Sequence, residues 1–151
     1  MKQAYFILLA LAALLFSSFS GAKQELTDAD KVKIQNLASK VNEETRTRFE
    51  QLHSQWYKTC DATPEIMLSS RSDARKKAPE FKALTDMGQT IIPLVVEKMI
   101  TDDYFFTYLV YEAIQPDKSL LVNPDDRSMD VVQMRANLLA AKWINAQINN
   151  Y

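Results

Sequence analysis

The sequence predicts an all-α fold, and three observations support that class. Apolar residues recur at intervals of three or four along most of residues 27–149, which is the period of an amphipathic helix. Threonines that can cap helices precede several of these apolar stripes. Pro79 and Pro93 both stand where a proline fits the first turn of a helix. We therefore expect a long N-terminal amphipathic helix packed on a compact helical bundle.

Residues 1–22 have the parts of a secretory signal peptide. Lys2 supplies a charged start, residues 4–16 are apolar and uncharged, and residues 17–22 are small or polar apart from one aromatic ring. The apolar run is too short to span a bilayer comfortably, although an uncleaved anchor is the alternative. We expect cleavage after Ala22, or else after Ser20. The protein is then secreted, to the periplasm or the extracellular space, without stable membrane insertion.

Residues 23–151 have the length of one helical domain that buries a core without disulfides. The formal net charge of −1 becomes −2 when Lys2 leaves with the signal peptide, which argues against nucleic acid as a partner. Cys60 is the only cysteine, so no intramolecular disulfide can form. We expect a buried free thiol, and the alternative is a thiol that pairs between chains.

The first predicted helix is long and covers residues 27–60. Thr27 is its expected N-cap, and Thr63 before Pro64 is its expected stop. One apolar stripe runs along it, which we expect to pack on the rest of the chain. A dimer through residues 34–56 is the alternative use of the stripe. The stripe consists of Ile34, Leu37, Val41, Thr45, Phe49, Leu52 and Trp56.

Residues 69–78 form a polar, basic connector that follows a short helical turn at residues 66–68. Its basic residues can bind an anion or a lipid headgroup, or form a dibasic processing site. We favour the simpler interpretation of a solvated connector. The basic residues are Arg71, Arg75, Lys76 and Lys77.

Central helices are predicted in residues 79–115. Pro79 opens the first of them, and Gly88 closes it as a left-handed cap. Thr90 is the expected cap of the second helix, with Pro93 in its first turn. The third helix begins at residue 104 and is apolar nearly all round, which predicts an enclosed position.

The C-terminal helix is predicted at residues 128–149, after an acidic turn that contains Asp125 and Asp126. Ser128 is close to its expected start. Its inward face is expected to carry Val131, Met134, Leu138, Ala141 and Ile148, with Val132, Leu139 and Trp143 beside them.

Three features between residues 79 and 145 resemble a known group of proteins. They are Met-Gly-x-x-Ile-Ile-Pro-Leu-Val-Val-x-x-Met at residues 87–99, Tyr-Phe-Phe-x-Tyr-Leu at residues 104–109, and Trp143. The group consists of small uncharacterised secreted all-helical proteins of bacteria and fungi, whose pattern is similar to a degenerate HEAT or armadillo unit. The resemblance implies a HEAT-like helical hairpin around Gly88. It implies no active site.

The composition excludes several chemistries. A single glycine in residues 23–151 excludes glycine-rich phosphate loops and the nucleophile elbow. One histidine and one cysteine cannot build a structural zinc site. We expect His53 at the surface or the boundary of the core, about 10 Å along the helix from Cys60 and too far for a dyad. We therefore predict no catalytic residue, no metal and no cofactor.

Carboxylates remain as acid–base candidates. Glu97 and Glu112 stand among aliphatic residues, where burial would raise the pKa of a carboxyl group. The adjacent pairs Asp102–Asp103 and Asp125–Asp126 are more typical of helix caps and turns, and the second pair lacks the alternating ligands of a calcium loop. A hydrolase that uses Glu97 or Glu112 is the least favoured function.

The favoured function is that of an exported, non-enzymatic interaction module that binds a protein partner through a helical surface. The alternative is a carrier of a small apolar ligand, because methionines and aromatic rings can line an adaptable pocket. The methionines concerned are Met67, Met87, Met99 and Met134.

Overall fold

The structure is a computed structural model that describes residues 26–123 and 131–149. Within these two ranges the regular elements are helices and none is a strand, so the predicted all-α class is confirmed. The α-helices are α1 (Asp28–Ser39), α2 (Glu43–Ala62), α3 (Pro64–Met67), α4 (Pro79–Asp86), α5 (Ile92–Met99), α6 (Tyr108–Ile114) and α7 (Val132–Asn149). The 3₁₀ helices are Ser72–Lys77, Gly88–Ile91, Phe105–Thr107 and Lys118–Leu120.

The predicted single helix over residues 27–60 is instead two helices, α1 and α2. Its predicted start is correct, because Thr27 and Asp30 form a capping box. Asn42 is the N-cap of α2. Its backbone is extended, and its Oδ1 accepts a hydrogen bond from the Thr45 amide at 2.8 Å. The Val41 amide and the Arg46 guanidinium both donate to the Ala38 carbonyl, so the end of α1 has partners as well.

The helices on either side of Gly88 share α6 as a neighbour and otherwise pack on different helices. Helix α4 lies on α2 and α6, whereas α5 lies on α1, α6 and α7. Gly88 has a φ of +71°, as a left-handed cap requires. Thr90 does not cap α5, because its hydroxyl donates back to the Met87 carbonyl at 3.1 Å. Pro93 lies in the first turn of α5, as predicted.

Helix α6 has the enclosed position that its apolar composition predicts. It is shorter than expected, because the 3₁₀ turn Phe105–Thr107 precedes it. Before that turn, Asp103 has a left-handed backbone with a φ of +73°, which a continuous helix does not allow. Five of its side chains are buried: Tyr108, Leu109, Val110, Tyr111 and Ile114.

Helix α7 buries only part of the predicted face: Leu139, Ala141 and Trp143 are buried and Leu138 is partly buried, as expected. Val131, Met134 and Ile148 were expected to point inward but are 54%, 45% and 44% exposed. Alanines at positions 136 and 140 let α7 approach its neighbours closely, and their face also carries larger apolar side chains. The buried residues are Ala136, Leu139, Ala140, Ala141, Trp143 and Ile144. The predicted start at Ser128 lies outside the described residues.

Candidate functional site

A depression of about 210 Å³ lies between α3, the basic connector, the 3₁₀ turn at residues 105–107 and the start of α7. We call it the Arg75 depression. One wall is polar and basic, and the other is apolar. The polar wall consists of Ser69, Ser70, Arg71, Ser72 and Arg75, and the apolar wall of Ile66, Met67, Phe106 and Val132. The structure thus assigns part of the predicted solvated connector to the wall of a concave site.

Arg75 is held firmly in this wall. Its guanidinium carbon lies 4.0 Å from the ring centroid of Phe106 and 5.8 Å from that of Tyr57. Its carbonyl accepts a hydrogen bond of 2.9 Å from the indole of Trp56 and a weak one of 3.9 Å from Cys60 Sγ. Helix α2 therefore fixes the backbone of Arg75, and the rings of Phe106 and Tyr57 position its side chain.

The charge of Arg75 is only partly neutralised. Its Nη1 atom is buried and has no hydrogen-bond partner among the described residues. The carboxylate paired with it, that of Asp61, lies 3.9 Å away and is 66% exposed. A guanidinium nitrogen without a partner is unfavourable, so an additional acceptor near Arg75 would stabilise it.

Arg71 differs from Arg75, because it already has a carboxylate partner. Its Nε and Nη2 atoms donate to the two carboxylate oxygens of Asp73 at 3.2 and 2.9 Å. The guanidinium lowers the pKa of Asp73 below its usual value. Both side chains are well exposed. Lys76 and Lys77, the other basic residues of the connector, are exposed and do not line the depression.

The apolar wall continues into exposed apolar surface. Met67, which lines the depression, is 53% exposed, and the next residue, Leu68, is 78% exposed. On the α7 side, Val132 lines the depression and Val131 beside it is 54% exposed. Adjoining exposed side chains of this size are a feature of interaction surfaces.

His53 is buried, contrary to the predicted surface or boundary position. It is 2% exposed and its Nε2 lies 2.8 Å from Thr107 Oγ1. Burial, with a smaller contribution from the nearby Lys98, lowers the pKa of the imidazole to about 3. The imidazole is therefore neutral at physiological pH and packed in the core. Aromatic rings surround it, namely those of Phe49, Trp56, Tyr57 and Tyr104.

Cys60 is fully buried, as predicted for a free thiol. Burial raises its pKa, which keeps the thiol protonated. The stripe that could have formed a dimer is also used within the chain, because Ile34, Phe49 and Trp56 are fully buried.

The two glutamates singled out as acid–base candidates have separate arginine partners. Glu97 lies 3.9 Å from Arg46, and burial raises its pKa. Glu112 accepts a hydrogen bond of 2.8 Å from Nε of Arg135, and its Oε1 lies 2.6 Å from Nη2 in an ion pair that is about four-fifths buried. Asp102 and Asp103 are exposed. Asp125 and Asp126 lie outside the described residues.

The four methionines proposed to line one pocket lie in separate environments. Met99 is fully buried in the core, and Met87 packs partly on it. Met67 lines the Arg75 depression, and Met134 is 45% exposed on α7.

A second groove of about 370 Å³ lies between the start of α5, the end of α6 and the later part of α7. It is defined chiefly by Ile92, Pro93, Leu120 and Trp143, with Gln115 and Asp117 on its polar side. Gln115 is satisfied internally, because its amide donates to the Tyr111 hydroxyl at 3.0 Å and its Oε1 accepts from the Asp117 amide at 3.1 Å.

The described residues show no group of three or more histidine, cysteine or carboxylate side chains with the arrangement of a metal site. Over the same residues, none of the helices combines the length and hydropathy of a membrane span. Comparison with known proteins gave no match to a family model, to a curated protein or to a solved structure.

Proposed function

We propose that this chain is an exported, non-enzymatic interaction module that binds a protein partner at the Arg75 depression. The observation that carries the proposal is that half-exposed Met67 lines the same depression as the ring of Phe106 and two arginines. Apolar anchors beside polar or charged groups are the usual composition of an interface centre.

The size of the depression favours a protein partner over a carried small molecule. Its volume of about 210 Å³ is below the roughly 300–1,000 Å³ of most small-molecule sites. It has room for one large side chain of a partner. Leu68 and Val131, which are exposed beside the lining residues Met67 and Val132, would extend the contact beyond that side chain.

The test is affinity capture from the exported fraction of cells that make the protein, with three forms of the purified domain. The double variant Met67→Ser/Leu68→Ser removes the apolar anchor. The control Val32→Ser removes an apolar side chain that is 55% exposed on α1, nearly the same exposure as Met67. We expect one stoichiometric partner that the wild type and the control retain and the double variant loses. Equal recovery by all three forms would contradict the proposal.

Export is part of the proposal and has its own measurement. The intact mass of the protein from the exported fraction should correspond to a chain that begins at Lys23, or at Gly21 for the alternative cleavage. A protein that retains Met1 in that fraction would contradict cleavage of the signal peptide.

The carrier of a small apolar ligand is the second candidate, and it is favoured by the groove beside Trp143. The volume of about 370 Å³ lies within the range of small-molecule sites. Native mass spectrometry of protein purified from its own host should then show a lipid-sized adduct, which Leu120→Asn would remove. The HEAT-like hairpin around Gly88 stays a prediction that neither candidate requires.

A further inference from the structure

From the charges and the volume of the Arg75 depression, we infer the chemical class of its partner. The depression binds an acidic protein segment in which an apolar side chain enters beside Met67 and Phe106 and a neighbouring carboxylate pairs with Arg75. This inference rests on the proposed function, because it names the kind of protein partner that the same site takes.

The charge of the lining selects an acidic segment. Among the residues that the structure describes, both charged side chains in the lining are those of arginines and none is a carboxylate. Arg71 already has a bidentate partner in Asp73, whereas the carboxylate paired with Arg75, that of Asp61, is 3.9 Å from Nη1 and largely solvated. Nη1 itself is buried, so an incoming carboxylate meets the part of the guanidinium that lines the depression. A carboxylate that enters the depression therefore gains most from Arg75.

The fixed position of Arg75 makes it suitable for this role. Stacking on Phe106 at 4.0 Å and the anchoring of its carbonyl by Trp56 hold Arg75 in place, while its ion pair with the largely solvated Asp61 is long, at 3.9 Å. Little side-chain entropy is then lost when a carboxylate binds. Exposed Lys76 and Lys77 add positive charge next to the site, which would speed the approach of an acidic segment.

The apolar part of the partner is limited by space. Met67, Phe106, Val132 and Ile66 provide an apolar wall, and about 210 Å³ is suited to a side chain such as leucine rather than to a long acyl chain. The partner thus presents both groups close together, one apolar side chain and one or two carboxylates.

The experiment is a titration of the domain, labelled with ¹³C in its methionine methyl groups, with the peptide Ac-Ala-Asp-Leu-Asp-Ala-NH₂. We expect saturable shifts of the Met67 methyl signal and weaker binding at higher salt. One control peptide replaces both aspartates by asparagine, and another replaces the leucine by alanine. Each control should bind about tenfold more weakly, as the loss of one charge-assisted hydrogen bond or of one buried side chain implies. Sodium octanoate and inorganic phosphate serve as a free amphiphile and a bare anion, and neither should match the acidic peptide.

Variants assign the carboxylate contact. Arg75→Gln should weaken peptide binding about tenfold, Arg71→Gln only about twofold, and Lys58→Gln on the exposed face of α2 not at all. The methyl spectrum shows whether Arg75→Gln folds, and if it does not, the salt dependence and Arg71→Gln still test the charge. Equal binding of the asparagine peptide, or a stronger response to octanoate, would overturn the acidic segment. In that case, a partner that is captured by the wild type and lost by Met67→Ser/Leu68→Ser would still support the proposed function. Failure of the acidic segment and failure of the proposed function are therefore distinguishable.

Discussion

Nε2 of His53 lies 2.8 Å from Oγ1 of Thr107, and both side chains are buried although 54 residues separate them. The Tyr57 hydroxyl lies 3.4 Å from the same oxygen. Thr107 thus links α2 to the turn that precedes α6 through one hydroxyl group. Such a buried polar cluster is stable only while each member keeps a partner.

Replacement of Thr107 by valine should destabilise the fold. The two side chains have nearly the same shape, so the main change is that the buried imidazole of His53 loses its partner. We expect a loss of about 1–3 kcal/mol in the free energy of unfolding, measured by urea denaturation. Thr101→Val, at an exposed threonine whose hydroxyl donates to the Glu97 carbonyl, is the control and should cost under about 0.5 kcal/mol. Equal effects of both variants would contradict the linking role of Thr107.

Stability should decrease in mild acid because of His53. Its pKa is about 3 in the fold, against 6.5 for the ordinary imidazole, so the unfolded chain binds the proton first as the pH falls. Stability is fully present above pH 6.5 and is lost progressively between pH 6.5 and pH 3. From pH 7 to pH 5 the loss from this residue is about 2 kcal/mol.

The loss of stability in mild acid can be assigned to His53 only by comparison with the charged and titratable groups around it. Lys98, which pairs with Glu50 at 2.8 Å, and the hydroxyls of Tyr57 and Thr107 face the imidazole. Burial raises the pKa of Tyr57 above its usual value, so this hydroxyl stays protonated between pH 5 and pH 7. Denaturation of His53→Phe at the two pH values should therefore show a much smaller decrease than the wild type. The same decrease in both proteins would assign it to carboxylates.

Asn42 separates α1 from α2, and its replacement by alanine should weaken that junction. The variant loses the hydrogen bond from the Thr45 amide to Oδ1, and we expect a cost of about 1 kcal/mol. Asn36→Ala, at an exposed position inside α1, should be neutral or slightly stabilising because alanine favours helices. If Asn42→Ala instead stabilised the protein, the break would have no role in the packing of α1 on α5.

Several helix starts and ends that depend on residues close in sequence were predicted correctly. Thr27, Pro79, Gly88 and Pro93 act within one turn of the chain, so their effects follow from local geometry. The burial of His53 could not be predicted in this way, since Thr107 and Tyr104 lie far along the chain. Its spacing of four from Phe49 and three from Trp56 was the available signal, and the polarity of histidine outweighed it.

The Arg75 depression shows the same limit. The connector was identified as basic, but nothing local distinguishes Arg75 from Lys76 and Lys77. The distinction comes from Phe106, whose ring lies 4.0 Å from the Arg75 guanidinium, and from Val132, which lines the same depression; both belong to distant elements. The buried face of α7 was likewise only partly predicted, because it includes alanines, which contribute little to a hydrophobic pattern. Side-chain partners distant in sequence therefore decide the site, whereas local signals decide most helix ends.

Glu112 should prove to be a structural residue, and Glu112→Gln distinguishes that role from catalysis. The carboxylate pairs with Arg135, whose guanidinium also lies 5.2 Å from the ring centroid of Tyr108. Loss of the charge in this largely buried pair should cost about 1–2 kcal/mol in thermal or urea unfolding. Asp86→Asn provides the matched control, because its pair with Lys82 is 60–80% exposed and should contribute under about 0.5 kcal/mol. A Glu112→Gln variant with unchanged stability would mean that the fold does not need this charge, and Glu112 would again become a candidate for acid–base chemistry.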